Sequence, residues 1–230
     1  MAAACVIKLG GSLLDLPDLP ERIESIRSLC RSRTTCTDQL LIAGGGAVAD
    51  VVRDWDRRFH LPVETSHELG IAAMQFHAEL LAAILPNSQL VHSVNELPST
   101  WSAGQLAIVA AADFLRGLRL GKSDGAEGEA AASSLASLLA ASWDVTSDSI
   151  AAIIAQAISA NCLILAKSRD LPAGIDIPAA EHASLVDRRF SRASTGIPRL
   201  GWINARNGSN AATSELRLHW WKNPGESAAT

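Results

Sequence analysis

Short apolar runs alternate with longer segments of helical spacing, a pattern that argues for βα units and a mainly parallel sheet. Ala4 to Leu9 reads as a first strand running into Gly10-Gly11-Ser12. Leu19 to Arg31 then carries Ile23, Ile26 and Leu29 at helical spacing. Gln39 to Ala43 reads as a second strand, ending in Gly44-Gly45-Gly46. The helix expected next has Val48, Val51, Val52 and Trp55 on its apolar face. Glu64 to Leu85 is helical and Ala-rich, closed by Pro86, and Leu90 to Ser93 and Leu106 to Ala110 are further candidate strands. Residues 121 to 141 are dominated by small side chains and read as a flexible loop followed by a weak helix. Trp143 to Asp148 opens a helix through Ile158, Cys162 to Ala166 is a buried strand, and Leu216 to Trp221 reads as a terminal strand. Between these last two, Pro172, Pro178 and Pro198 break any regular pattern.

There is neither an internal repeat nor a convincing linker, so residues 1–230 are expected to form a single domain. Hydrophobic residues make up 48% and charged residues 19%, enough apolar material for a sizeable core. The net charge of −4, with acids and bases interspersed, supplies no clustered basic face for nucleic acid. No apolar run approaches the ~20 residues of a membrane span, and the first residues lack the charged region of a signal peptide. A cytoplasmic protein is expected. Cys5, Cys30, Cys36 and Cys162 form neither a CxxC pair nor a tight sequence cluster, so they are expected to act as small core hydrophobes.

Three constellations could carry chemistry. Lys8-Leu9-Gly10-Gly11-Ser12 stands at the end of a strand. Glycines let backbone N–H groups approach phosphate oxygens closely, and a lysine two residues earlier supplies positive charge. An ordinary strand-to-loop turn with a stray lysine is the plainer reading. Ala43-Gly44-Gly45-Gly46-Ala47 again leads from a strand into a helix, whose N-terminal N–H groups would favour an anion. A tight turn requiring positive φ is its alternative. In an open parallel sheet both turns would lie at the carboxyl edge, where ligands bind. The third is Trp143-Asp144-Val145-Thr146-Ser147-Asp148-Ser149. Here Asp144, Thr146 and Ser147 are plausible helix caps, and Asp148 lies in a first turn from which it could hold a lysine ammonium or approach Mg²⁺.

Other signals fail. Gly121-Lys122-Ser123 lacks the P-loop glycine five residues earlier, where Arg116 stands. A GxGxxG reading from Gly44 would need glycine at Ala49, and no GxSxG occurs. His67 and His77 fall in the long helix beside Met74, a setting more often structural than catalytic, and Trp220-Trp221 reads as packing or an oligomer surface.

The segments VIKLGGSLL (residues 6–14), LLIAGGGAVADVVR (40–53), SWDVTSDSIAAIIA (142–155) and CLILA (162–166), in this order, resemble the amino acid kinase superfamily over roughly residues 4 to 170. The short length, SHELGIAAM and WDVTSD look most like its archaeal-type methanofuran-biosynthesis branch. The resemblance implies a three-layer αβα sandwich around a mainly parallel, about eight-stranded sheet. It implies ATP and Mg²⁺ as cofactors, a homodimer or larger homo-oligomer, and an aminomethyl-furanmethanol phosphate as acceptor. By position, Lys8 would stabilise the transferring phosphoryl group and Asp148 would orient that lysine. Gly10, Gly11 and Ser12 would contact ATP phosphates, with Lys167 and Ser168 on the nucleotide side. Gly44, Gly45, Gly46 and His67 would face the acceptor in the N-terminal half. No residue is assigned to hold a metal.

The sequence departs from that pattern after CLILA. The family usually continues Thr-Asp-Val and then a glycine, but Lys167-Ser168-Arg169-Asp170 stands here. Several members place a second lysine further downstream. This chain has none between Lys167 and Lys222, although arginines follow at 169, 188, 189, 192, 199, 206 and 217. Either Lys167 supplies the missing charge from another direction, or the nucleotide half has decayed, leaving a weak kinase or a non-catalytic binder of a phosphorylated metabolite or anion. A kinase of another small carboxylate or phosphate ester is the third expectation.

Overall fold

The computed structural model describes residues 3–119, 141–206 and 216–221, so the expectations for 121 to 140 lie outside the described residues. Among the described residues the sheet has seven strands in the order β3-β4-β2-β1-β5-β6-β7, where about eight were expected of the chain. The strands are β1 (Ala4–Leu9), β2 (Asp38–Ala43), β3 (Ser88–Val91), β4 (Leu106–Val109), β5 (Cys162–Lys167), β6 (Leu200–Asn204) and β7 (Leu218–Trp220). Every neighbouring pair is parallel except β6 and β7.

Six consecutive buried residues in β1 match a strand covered on both faces, as parallel sheets require. Alternate side chains feed two apolar layers. Val6 joins Leu40, Ile42, Leu163 and Leu165 on one face, while Cys5, Ile7 and Leu9 join Leu41, Ala43, Ile164 and Ala166 on the other. Helix α1 (Leu19–Arg33) covers the second face through Ile23 and Ile26. Helices α5 (Ala111–Arg119) and α6 (Ser147–Ala157) cover the first. Helix α3 (Val63–Ile84) contributes Ile71 and Met74 to the first layer and Ala78 and Leu81 to the second. Helices α4 (Leu97–Ser102), α7 (Ile177–His182) and α8 (Phe190–Ala193) are short. This is the αβα arrangement expected.

All four cysteines are buried, free thiols in the second layer. The fold brings together what the sequence keeps apart: Cys5 and Cys162 are register partners on β1 and β5. Trp221 also lies in the core, edge-on to Trp202 at 5.5 Å between ring centroids. Helix α2 (Gly46–Phe59) differs from expectation. Only Ala49 and Val52 are buried, while Val51 and Trp55 of the anticipated apolar face are 45% and 48% exposed. The spacing identified a helix, and its packing against α3 uses a narrower stripe than the sequence pattern implied.

The chain leaves β1 for β2, β3 and β4 on one side and reaches β5 and β6 on the other. The topology therefore reverses at β1, and the carboxyl ends of β1, β2 and β5 open into one crevice, the position that binds ligands in such sheets.

Candidate active site

Lys8 is a charged residue in a strand buried along its whole length. Strand alternation puts it on the face of Val6, toward α6, and β5 places Lys167 on that same face in line with Leu165. A buried ammonium requires a partner. Asp148, in the first turn of α6, provides it: Lys8 Nζ lies 2.8 Å from Oδ1, and Lys167 Nζ donates to Oδ2 at 2.6 Å. One carboxylate thus holds two ammonium groups side by side. Lys167 also donates to the Leu185 carbonyl at 2.9 Å and stands 5.6 Å over the Trp202 ring.

Burial lowers the Lys8 pKa to about 8, partly opposed by the Asp148 charge and reinforced by Lys167. Burial alone would raise the Asp148 carboxyl, but Lys167 and Lys8 outweigh it and hold the group at about 2. At neutral pH the trio carries a net positive charge facing the crevice.

The two glycine turns meet at the same place. Gly10 N–H donates to the Ala166 carbonyl at 2.7 Å and Gly44 N–H to the Leu9 carbonyl at 2.8 Å, which stitches the ends of β1, β2 and β5 together. A Cβ on Gly11 would lie 2.2 Å from the Gly46 nitrogen, and one on Gly44 2.6 Å from the Gly11 nitrogen. Gly46 adopts φ +49, the left-handed region that glycine enters without strain. His77 Nδ1 approaches the Gly44 carbonyl at 3.1 Å, so this histidine braces the second turn. Ser12 Oγ donates to Ser168 Oγ at 2.9 Å, and Arg206 reaches the Ser12 carbonyl and Asp15, which connects the loops after β1, β5 and β6.

A cleft of about 260 Å³ runs from this point toward α2 and α3. Lys8, Gly11, Ser12, Asp148 and Lys167 line its inner end. Gly45, Gly46, Arg53, His67, Gly70 and Trp143 line its outer part. Trp143 donates its indole N–H to Asp56 at 2.7 Å and carries the Arg53 guanidinium 5.1 Å above its ring. Gly70 packs beside the indole, and a Cβ there would make ordinary van der Waals contact with the ring at 3.6 Å. His67 Nδ1 faces the Ser142 carbonyl at 3.3 Å, and burial lowers its pKa, which favours a neutral imidazole.

Of the residues expected in the site, Lys8, Gly11, Ser12, Gly45, Gly46, His67, Asp148 and Lys167 line this one cleft. Gly10 and Gly44 support its floor from behind, and Ser168 touches Ser12. Arg53 and Trp143 were not assigned to the site from sequence. Nor was Asp187, which accepts hydrogen bonds at the start of α6, the capping role expected of Asp144, Thr146 and Ser147. Thr146 is the N-cap residue but makes no side-chain cap to its own helix.

Among the described residues no group of three or more His, Cys, Asp or Glu side chains could hold a metal ion. Both oxygens of Asp148 already face lysines. The described residues therefore do not make a protein-held metal centre, whereas paired ammoniums and glycine backbone fit a polyphosphate.

Known structures share the fold. The uridylate kinase of Archaeoglobus fulgidus superposes with a TM-score of 0.54 at 17% identity, covering 86% of this chain and 89% of that one. The UMP kinase of Ureaplasma parvum gives 0.57 at 13% identity, covering 95% and 99%. The UMP kinase of Bacillus anthracis gives 0.52 at 13%, covering 87% and 85%. No curated protein matches the chain in sequence. The family model described as Amino acid kinase family matches residues 3–170, close to three quarters of the 230 residues. The chain belongs to the amino acid kinase family.

Proposed function

We propose that this protein transfers the γ-phosphoryl group of ATP to a small acceptor. The observation that carries the reading is the Lys8–Asp148–Lys167 trio at the meeting point of two glycine turns. Phosphoryl transfer asks for positioning and for positive charge where negative charge spreads over the equatorial oxygens. The two ammoniums supply that charge, and Asp148 fixes their separation. Gly10, Gly11 and Ser12 hold phosphates through backbone N–H groups and a hydroxyl, with Lys167 and Ser168 on the nucleotide side. Mg²⁺ would come bound to the ATP phosphates, as it commonly does when no dedicated protein cage exists.

We read Lys167 as the compensation for the departure at 167–170. Its ammonium reaches the inner end of the cleft from the tip of β5 and shares the carboxylate of Asp148 with Lys8. This favours an active kinase over a degenerate binder. The acceptor lies in the outer part of the cleft, along Gly44, Gly45, Gly46 and His67. An aminomethyl-furanmethanol phosphate is the acceptor we propose, with Trp143 beside its ring and Arg53, which also pairs with Asp50 at 2.5 Å, near its anionic group.

The protein works as a single domain in a cytoplasmic homo-oligomer. Among the described residues the large hydrophobics that stay exposed, including Trp55, Phe59, Phe76 and Leu80, all lie on α2 and α3, and a second copy would cover them.

Calorimetry with Mg·ATP, followed by a transfer assay on that phosphate ester and on other small phosphates and carboxylates, tests the reading. Binding with transfer supports it. Absence of nucleotide binding would return the protein to the non-catalytic class.

A further inference from the structure

Asp148 can hold two lysines only if the first turn of α6 stays where it is. The residues of that turn do not cap it themselves. Asp187, 41 residues beyond Thr146, closes it from outside. Its Oδ2 accepts from the Thr146 N–H at 3.0 Å, the Thr146 hydroxyl at 2.8 Å and the Ser149 N–H at 2.9 Å, and its Oδ1 accepts from the Ser149 hydroxyl. The Arg189 N–H adds a contact to Oδ1 at 3.2 Å. These bonds flank Asp148 on both sides in sequence and satisfy donors that a helix start leaves unpaired. Two residues earlier in the same loop, the Leu185 carbonyl receives the ammonium of Lys167. One short stretch of chain therefore fixes both the carboxylate and one of its lysines.

We infer that the Leu185–Asp187 loop is the positioning device of the phosphoryl-transfer centre, and that Asp187 is a positioning residue for both Asp148 and Lys167. The inference rests on the proposed kinase reading for its purpose, though not for its geometry. Asp187 makes no contact with the two ammoniums comparable to that of Asp148. It sets the helix end on which Asp148 rides, and its loop supplies a carbonyl to Lys167. A displacement of about 1 Å at such a centre costs orders of magnitude in rate, so a remote cap can be as necessary as the groups it serves.

The chain has four lysines, Lys8, Lys122, Lys167 and Lys222. Labelling lysine with ¹³C at the ε position therefore gives four NMR signals, assignable by single Lys→Arg variants. In Asp187→Ala the signals of Lys8 and Lys167 should shift while those of Lys122 and Lys222 stay. Asp187→Asn, which keeps an accepting oxygen, should shift them less. Unchanged Lys8 and Lys167 signals in a folded Asp187→Ala protein would overturn the inference, as would an equal shift of all four, the mark of a purely structural role. If Asp187→Ala does not fold, Ser149→Ala removes one hydroxyl donor and is read in the same way. Mg·ATP calorimetry on the parent decides the kinase reading separately, because the lysine signals report the loop whether or not nucleotide binds.

Discussion

Gly11 and Gly46 meet backbone to backbone, with an added Cβ on Gly11 falling 2.2 Å from the Gly46 nitrogen and 2.5 Å from its Cα. No side chain is available to move aside, so substitution must displace one of the two turns. Gly11→Ala should destabilise the protein by about 1–3 kcal/mol, as overpacking does. A fall of roughly 2–4 °C in melting temperature for each kcal/mol is expected at this size. Mg·ATP affinity should fall with it. Gly117→Ala is the control: it is a helical position with nothing within 4 Å of the new methyl, and helix propensity favours alanine there. Equal melting temperatures for Gly11→Ala and the parent would show that the turns are not in contact.

Lys8→Ala should lower kcat by about two or more orders of magnitude, the usual cost of losing a transition-state charge contact. The fold should survive, because Asp148 retains Lys167. Lys167→Ala should produce a loss of similar size if both ammoniums face the transferring phosphoryl group. Lys167→Arg should not restore it. The planar guanidinium does not reproduce a compact ammonium pinned by a carboxylate and a carbonyl. Steady-state kinetics on the three variants decide the matter, and a Lys167→Ala enzyme with parental kcat would remove Lys167 from the centre.

Much of this centre is legible in the chain itself. β1 falls on Ala4–Leu9 as the apolar run indicates, and period-two alternation already places Lys8 on one face with Val6. The order strand, glycine turn, helix, repeated at Gly10 and Gly44, locates both turns at the carboxyl edge. Asp148 was visible as a first-turn carboxylate. What escapes sequence reading depends on distant chain segments. Nothing near Thr146 indicates that Asp187 will cap its helix, since the two are joined only by folding. The exposure of Val51 and Trp55 was equally hidden, because the helical pattern of α2 shows which residues are apolar but not how narrow a stripe α3 will cover. Arg53 and Trp143 also come together across a wide sequence gap.

The Lys8 pKa of about 8 should give the proposed activity and stability opposite responses to alkali. Lys8 titrates at about 8 folded against 10.5 as its ordinary value, so between these values the unfolded chain binds more protons. Stability contributed by this group therefore rises as pH climbs from about 8 toward 10.5. Over the same interval the ammonium needed for transfer is lost. kcat/KM, which reports the free enzyme, should fall with a midpoint near 8. The limb in kcat should lie higher, because bound polyphosphate favours the charged amine. pH–rate profiles alongside melting curves across this range check both signs. A flat kcat/KM profile from pH 7 to 9.5 would contradict the assignment of Lys8.

Asp148→Asn separates the carboxylate's two tasks. The folded carboxyl is held at about 2, so its stabilisation is present above about 4 and disappears as pH falls through about 2. Replacing it with an amide removes the stabilisation at every pH and leaves buried ammoniums uncompensated, a change that typically costs about 3–5 kcal/mol. The Asp148 charge also opposes the effect of burial on Lys8, so without it the Lys8 midpoint should drop below 8. At pH 7.5 the variant should therefore lose activity for two reasons, misplacement of both lysines and deprotonation of one. Lowering the pH should recover the second loss and leave the first. The expected outcome is a kcat/KM limb displaced to lower pH on a reduced plateau. A limb remaining near 8 would mean that Lys8 does not depend on Asp148 for its charge, and a parental plateau would mean that Asp148 does not position the lysines.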